Sequence, residues 1–408
     1  MAIVRSVSPP VRAPGPAPGA LLVKFGRYPL HAGGVGVVRT LGRAGVAVYA
    51  IAEDRFTPAA VSRYCRNVFV APTTGAEPAD RLVATIAAAA RAFRGPLVAI
   101  PTDDEAAVVL AEHREALPDE LLVPAVAPGL PRRLASKQGL HTLCAEHGVP
   151  TPRTSFPATR DEIEEFARTA RFPVVAKNVD PFVRKRAPAV GGTTMVPDPP
   201  SLRDLARRWP DPPTVMLQEY IPSEYAEDWI FHAYFDARSE PLVAFTGVKH
   251  RSWPPRFGAT SFATVVGNAE LAESMIRFCR RIGFAGIVDL DVRRDMRDGE
   301  YKLVDFNPRV GAQFRAFETD AGIDVVRAQY LDLAGRPVPP GEPVDGRRFV
   351  VEHLDAPALF AYRRVRPEPV SAPLRRGTLE WGWFSRDDLL PFAAMCVRAP
   401  ALVADRFR

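Results

Sequence analysis

Residues 286–309 read GIVDLDVRRDMRDGEYKLVDFNPR, and this stretch decides the fold. Its pattern predicts two strands, 287–294 and 301–306, which form a hairpin around the turn pair Asp298-Gly299. Apolar residues separate the polar positions of both strands: Ile287, Val288, Leu290, Leu303, Val304 and Phe306. The sequence therefore predicts a covered antiparallel sheet in this part of the chain.

Four polar side chains fall on one side of this hairpin. Neighbouring residues of a strand face opposite sides, so Asp289 and Asp291 share a face, as Asp305 and Asn307 do on the partner strand. The position of the turn brings the two acidic faces together, and Mg²⁺ prefers such oxygen ligands. A solvated polar face is the alternative, but unpaired carboxylates on a covered sheet would be costly. The sequence therefore predicts an oxygen-rich metal site on this face of the hairpin.

The end of the hairpin resembles a known motif. The residues Asp305-Phe306-Asn307-Pro308-Arg309 are similar to the terminal metal motif of the ATP-grasp superfamily, usually Glu-x-Asn-Pro-Arg, with Asp in place of Glu. Asp291 is similar to the upstream metal carboxylate of that family, so the resemblance implies Asp291, Asp305 and Asn307 as the metal ligands. The resemblance covers roughly residues 20–335 and is strongest to the carboxylate–amine ligase branch. It implies an enzyme that uses ATP and Mg²⁺, with Mn²⁺ as an alternative ion.

The resemblance also implies an α/β and α+β architecture: a Rossmann-like N-terminal domain, a two-lobed ATP-grasp domain and a short C-terminal extension. Strands alternate with helices up to about residue 128, which is typical of an open, mostly parallel sheet. The expected units are a flexible tail at 1–20, the N-terminal domain at 21–128, the ATP-grasp domain at 129–335 with a lid lobe at about 139–216, and the extension at 336–408.

A glycine-rich segment, 33–36, lies early in the N-terminal domain. Its glycines suggest dinucleotide binding, but their spacing is not GxGxxG, and no acidic residue closes the following strand. A tight turn that opens a helix is therefore the preferred interpretation.

Two lysines are expected to contact the phosphates of ATP. Lys137 matches the lysine that opens the grasp region in the family. Lys177 follows the apolar run 173–176 and matches the second phosphate lysine, which is aimed at the α- and β-phosphates. A solvated surface charge is the alternative for each. A buried strand before Lys177 favours the binding role, because the strand fixes the stem while the ammonium group stays mobile.

The resemblance implies the remaining nucleotide contacts. The backbone of a hinge strand should hold adenine, chiefly through the carbonyl of Glu219, and an acidic residue at 227 or 228 should hold the ribose. A glycine pair should approach the phosphates with successive N–H groups, although an ordinary hairpin turn is the alternative. The expected contacts are Gly191, Gly192, Gln218, Glu219, Tyr220, Ile221, Glu227 and Asp228.

The catalytic residues are expected to be the cations Lys249, Arg251 and Arg309. A guanidinium clamps a carboxylate or an acyl phosphate through two hydrogen bonds, and fixed cations stabilise the charge on the transferred phosphate. The implied reaction has two steps. A carboxylate attacks the γ-phosphate of ATP to give an acyl phosphate, and an amine then displaces the phosphate.

Composition limits the classes of partner. The chain has 408 residues and a net charge of +6, which is weak evidence for nucleic acid, and none of the usual nucleic-acid motifs occurs. Its four cysteines form no CxxC pair, so free thiols in a reducing cytoplasm are expected. No apolar run is long enough for a membrane span. The expected partners are a small-molecule carboxylate and an amine, amino-acid-like or peptide-like, and a homodimer is left open.

Two other kinds of function remain open from the sequence. One is a non-catalytic nucleotide-binding protein on the same fold, although such a protein should have lost at least one of the acidic or lysine positions. The other is a different ATP-grasp reaction, either bicarbonate-dependent carboxylation or ligation to a thiol. No lysine motif like that of a biotin carrier is visible. Phosphate release with candidate amines would distinguish these functions.

Overall fold

The computed structural model describes residues 17–28, 30–179, 188–362 and 378–406. Most of the predicted tail, 1–20, and the basic positions 184–186 lie outside these ranges. The last residues of that predicted tail belong to the first strand, which begins at Gly19. Among the described helices, none combines the length and the apolar character that a bilayer crossing requires.

The N-terminal unit is a parallel sheet covered by helices, as predicted. Its elements are β1 (Gly19–Val23), α1 (Ala32–Arg43), β2 (Val48–Ala52), β3 (Cys65–Val70), α2 (Ala79–Phe93), β4 (Leu97–Pro101), α3 (Asp104–Glu112) and β5 (Leu121–Leu122). The strands pair in the order β3-β2-β1-β4-β5. Helices cover both faces of the sheet, so successive residues of β1 and β4 are buried whichever way they point.

The segment 33–36 is not a turn, which corrects the prediction, because its glycines lie inside α1. His31 caps this helix, and its Nδ1 accepts a hydrogen bond of 3.0 Å from the backbone N–H of Gly34. A Cβ atom on Gly33 would lie 3.2 Å from the carbonyl oxygen of Gly311. The glycines therefore allow α1 to pack closely on the segment that follows the hairpin motif.

The middle of the chain forms a small lobe with its own core. Two helices precede it, α4 (Leu130–Ala135) and α5 (Lys137–His147). The elements of the lobe are β6 (Thr154–Ser155), α6 (Arg160–Thr169), β7 (Val174–Asn178), β8 (Thr194–Val196), α7 (Pro199–Ala206) and β9 (Val215–Glu219). The sheet order is β6-β9-β7-β8, all antiparallel. Thr159 caps α6 by accepting from the backbone N–H of Glu162. Lys177 lies within β7, one residue before its end.

The largest unit is a seven-stranded sheet. Its elements are β10 (Ala226–Phe235), β11 (Pro241–Trp253), β12 (Ala259–Val265), α8 (Ala269–Arg281), β13 (Gly286–Asp295), β14 (Tyr301–Asn307), α9 (Val325–Leu333), β15 (Arg348–Val350), α10 (Glu352–Tyr362), β16 (Leu379–Trp381) and α11 (Leu390–Arg406). The strands pair in the order β14-β13-β10-β11-β12-β15-β16. The predicted hairpin is confirmed as β13 and β14, and α8 packs on β10 and β11.

The segment after residue 336 is built into this sheet. β15 pairs with β12, and β16 continues the sheet beside β15. Arg39 on α1 forms a buried ion pair with Asp388, Nε to Oδ2 at 3.0 Å, and its Nη2 donates to the carbonyl of Trp383. The C-terminal segment thus connects the large sheet to the N-terminal unit.

Candidate active site

The three sheets surround one cavity of about 570 Å³. Most of the predicted site residues line it: Lys137, Lys177, Gly192, Gln218, Glu219, Tyr220, Ile221, Asp228, Lys249, Asp291, Asp305, Asn307 and Arg309. Three predicted residues do not line it, namely Gly191, Glu227 and Arg251. The fold therefore gathers residues from four distant parts of the chain at one place.

The hairpin forms the acidic floor of this cavity. Asp291 lies directly opposite Asp305, and Asp289 opposite Asn307, so all four polar side chains share a face. The ammonium of Lys137 lies 2.5 Å from Asp305 Oδ1, and that of Lys249 lies 2.6 Å from Asp291 Oδ1. Burial raises the pKa of Asp305, but the charge and hydrogen bond of Lys137 outweigh burial and hold it near 2. Asp305 is therefore ionised at neutral pH.

These donors fit a magnesium ion. Within the described ranges, no three acidic, histidine or cysteine side chains form a metal site by themselves. Mg²⁺ normally takes one or two protein carboxylates and completes its shell with phosphates and water, which matches the pair Asp291 and Asp305. Asn307 donates from Nδ2 to the carbonyl of Asp289 at 3.0 Å, and this orients its Oδ1 as an acceptor. Both carboxylates already attract cationic groups.

Two lysines face the floor, Lys137 from α5, which packs on the large sheet, and Lys177 from the small lobe. Lys137 is the first residue of α5, and its backbone N–H donates to the carbonyl of Val179, just beyond β7, at 3.1 Å. Burial, and secondly the charge of Lys137, lower the pKa of Lys177 to about 8. Next to Lys177, Asn178 binds the backbone of Ala189 and Val190. This connects β7 to the loop that carries Gly192.

The segment 218–221, called here the adenine strip because it is predicted to hold adenine, lies at the end of β9. The carboxylate of Glu219 accepts from the backbone N–H of Arg171 at 2.8 Å, so its side chain is engaged within the lobe. Tyr220 packs edge-on against Phe257, with ring centroids 5.4 Å apart, and lies under the guanidinium of Arg293. These contacts place an aromatic ring and a guanidinium beside Tyr220.

Strand alternation separates the two ribose candidates. Asp228 pairs with Arg293 across β10 and β13, on the same face as Asp291, and lines the cavity. Glu227 pairs with Arg294 on the opposite face, where it accepts from the indole N–H of Trp229. The geometry therefore favours Asp228 for the ribose contact.

Arg309 is held at the edge of the acidic floor. Its Nη2 donates to Asn307 Oδ1 at 2.8 Å, its Nε to Asp104 Oδ1 at 3.2 Å, and its Nη1 to Asp289 Oδ2 at 3.4 Å. Burial lowers the pKa of Arg309, but the surrounding carboxylates outweigh it and raise the pKa. A fixed guanidinium beside the metal carboxylates is suited to contact an acyl phosphate.

The structure does not bring Arg251 to the cavity. A bulge interrupts the pairing of β11 with β12 between Lys249 and Arg251, so the alternation that the sequence implies is broken there. The guanidinium of Arg251 instead forms two hydrogen bonds of 2.8 Å to Asp355 and lies 4.3 Å from the ring centroid of Phe262. Its catalytic role stays a prediction without support from its position.

Other cavity residues were not anticipated as site residues. They come from the N-terminal unit, from the floor and from the C-terminal segment: His31, Asp104, Asp289, Gln313 and His353. The sequence pattern could have predicted Asp104 as a site residue. It belongs to an acidic pair that follows the buried parallel strand β4, and ligands bind at that end of the strands in such sheets. No sequence pattern could have predicted His353, because the segment around it shows neither a clear strand nor a clear helix periodicity.

Comparison with known proteins supports the fold and the class. No family model matches the chain. The chain is 22% identical over 311 residues to the D-aspartate ligase of Enterococcus faecium (strain Aus0004), covering 72% of each chain. N5-carboxyaminoimidazole synthetase from Staphylococcus aureus is similar in structure, with a TM-score of 0.58 at 12% identity over 79% of each chain. The biotin carboxylase domain of Hydrogenobacter thermophilus 2-oxoglutarate carboxylase, determined with MgADP and bicarbonate, gives a TM-score of 0.57 at 14% identity, covering 79% of this chain and 71% of that one.

The fold is the ATP-grasp fold of these solved structures, and the similarity to the ligase supports an enzyme of that class. In sequence, the chain is similar to one carboxylate–amine ligase, the D-aspartate ligase, over most of both chains.

Proposed function

We propose that this ligase activates one carboxylate of a small dicarboxylic amino acid, with D-aspartate as the first candidate, and joins it to an amino-acid or peptide-like amine. The observation that carries the proposal is the cavity itself, where the carboxylates Asp291 and Asp305 face the ammonium groups of Lys249 and Lys137. ATP, a carboxylate and the acyl phosphate are all anions. They need both the metal carboxylates and the fixed cations in one place.

The position of each cavity residue suggests which part of the reactants it contacts. Lys137 and Lys177 hold the phosphates of ATP, and the strip 218–221 holds adenine, with Asp228 at the ribose. Asp291, Asp305 and Asn307 would bind Mg²⁺, with Mn²⁺ as an alternative, and the ion would neutralise charge on the transferred phosphate. Arg309 and Lys249 would orient the attacking carboxylate and stabilise the acyl phosphate.

The choice of acid rests on two arguments. The relative in E. faecium is named a D-aspartate ligase, at 22% identity over most of both chains. In addition, Arg256 and Arg309 line the cavity together with Asp104. A dicarboxylic amino acid needs cations for two carboxylates and an acidic partner for its ammonium group. We further propose that the enzyme works in the cytoplasm, where ATP is available, and we leave a homodimer as the assembly to be tested.

The test measures ADP and phosphate release with ATP, Mg²⁺, one acid and one amine at a time. The acids are D-aspartate, L-aspartate, D-asparagine and D-alanine, and the amines are L-lysine, short lysine peptides and ammonia. We expect release that requires both D-aspartate and an amine, with a product lighter by one water than the sum of the two substrates. Mass spectrometry identifies that product.

The same assay separates the rival functions. Release that depends on bicarbonate alone would favour carboxylation, and release that requires a thiol such as pantetheine would favour a thiol ligase. Tight ATP binding without release under any condition would favour a non-catalytic nucleotide-binding protein. Asp305→Asn is the matched inactive control, because it removes one charge from the floor at constant size.

A further inference from the structure

One wall of the cavity comes from the C-terminal segment. Val351, His353 and Leu354, at the beginning of α10, line it together with residues of β12. Pairing of β15 with β12 positions this wall, and the N–H of Val351 donates to the carbonyl of Ser261 at 2.9 Å. His353 is the only one of the three with a side chain that can recognise a polar group.

A single hydrogen bond fixes the tautomer of His353. The indole Nε1 of Trp383 lies 2.9 Å from His353 Nδ1. An indole N–H can only donate, so Nδ1 must accept with its lone pair. The ring is then neutral, and its hydrogen lies on Nε2. Burial supports the neutral form, because it lowers the pKa of His353 to about 4.

The same contact orients the ring. Trp383 is fully buried, and the two rings meet edge-on with centroids 5.4 Å apart. Because the two nitrogens of an imidazole lie on different edges, the Nε2–H is directed away from Trp383. Within the part of the chain that the structure describes, Nε2 makes no hydrogen bond. His353, which lines the cavity, therefore carries a donor of fixed direction that Trp383 does not use.

We propose that the Nε2–H of His353 donates to the carboxylate of the acid substrate that does not react, and so selects a dicarboxylic amino acid. This inference rests on the proposed function and names a specificity-determining residue for it. A lone N–H donor suits an anionic oxygen and repels an ammonium group. The guanidinium of Arg256 lines the same cavity and adds positive charge. The reacting carboxylate is left to Arg309 and Lys249 on the floor.

Two substitutions separate recognition from structure. In His353→Asn, the amide oxygen lies near the position of Nδ1, so it can still accept from Trp383, but the donor at Nε2 is lost. In His353→Gln, the amide nitrogen lies near the position of Nε2, so the donor is kept, while the N–H of Trp383 loses its acceptor. The two variants therefore remove one function each.

We expect His353→Asn to raise the KM for D-aspartate about tenfold or more, as loss of a hydrogen bond to a charged group implies. Its KM for ATP and its Tm should stay near those of the wild type. His353→Gln should keep a KM for D-aspartate near that of the wild type but unfold at a lower temperature, because a buried N–H is left unsatisfied.

D-Alanine and β-alanine, each of which lacks one carboxylate of D-aspartate, complete the test. Because release is expected to require D-aspartate, the analogues are used as competitive inhibitors, and the one without the carboxylate that His353 contacts should bind the wild type and His353→Asn equally. Wild-type KM values in His353→Asn, or an equal loss of affinity for D-aspartate and that analogue, would overturn the role of His353 alone. An inactive wild type with D-aspartate would overturn both this inference and the proposed substrate.

Discussion

Binding of ATP should bring a proton to Lys177 when the enzyme is held near pH 8. In the free protein, burial and then the charge of Lys137 lower the pKa of Lys177 to about 8. Phosphate oxygens favour the charged ammonium, so nucleotide binding raises that pKa. At pH 8 about half of the free protein carries a neutral Lys177, so binding takes up about 0.5 proton, and at pH 7 only about 0.1.

The same shift predicts how affinity depends on pH. The charged form of Lys177 binds phosphate, and it is fully populated only below its free-state pKa. Affinity for ATP should therefore be greatest below pH 8 and fall as the pH rises through 8 toward the higher pKa of the bound state. Between pH 8 and pH 9 the expected fall is about fivefold, or about 1 kcal/mol.

Calorimetry measures both effects. A non-hydrolysable ATP analogue with Mg²⁺ is titrated at pH 7 and pH 8 in two buffers of different ionisation enthalpy, and the difference in heat gives the protons taken up. Lys177→Met should abolish the uptake at pH 8. Lys302→Met is the matched control, because Lys302 pairs with Asp295 and does not line the cavity. Equal uptake in the wild type and Lys177→Met, or none at pH 8, would refute the reasoning.

Three further predictions test individual contacts. Asp305→Asn should lower turnover about 100-fold or more without changing the circular dichroism spectrum, because it weakens the metal site; near-normal Mg²⁺-dependent turnover would contradict the site. Asp228→Asn should raise the KM for ATP about fivefold, and Glu227→Gln should not. A larger rise in Glu227→Gln than in Asp228→Asn would assign the ribose contact to Glu227. Arg251→Ala should lower the free energy of unfolding by about 2 kcal/mol, measured with urea, because Asp355 stays buried without its partner. If the variant loses turnover but unfolds with the free energy of the wild type, the result would support the predicted catalytic role of Arg251.

Local chemistry was enough to predict much of the floor. The hairpin is readable because its turn pair and its two-residue alternation are both local, and the alternation fixes which side chains share a face. Asp291 and Asp305 are paired in the structure as that pattern predicts. The beginning of α6 also depends on neighbouring residues, because its N-cap Thr159 accepts from the backbone N–H of Glu162.

Local patterns failed where a strand departs from regular pairing. Regular alternation would place Lys249 and Arg251 on the same face of β11, but the bulge directs Arg251 to Asp355. A bulge depends on the partner strand, β12, which was not recognised as a strand. The glycines at 33–36 were misread for a related reason, since the element that packs on them follows residue 307.

The sequence by itself determined the chemistry of the floor, because strand alternation and the turn pair depend on residues close together in the chain. The resemblance to ATP-grasp proteins supplied the two phosphate lysines as candidates and the class of fold. Only the tertiary structure decided which of Glu227 and Asp228 faces the cavity, and that His31, Asp104 and His353 line it with the hairpin. Those residues are joined by packing between sheets and by long-range strand pairing. Such contacts are set by the burial of many side chains at once, and no short stretch of sequence records them.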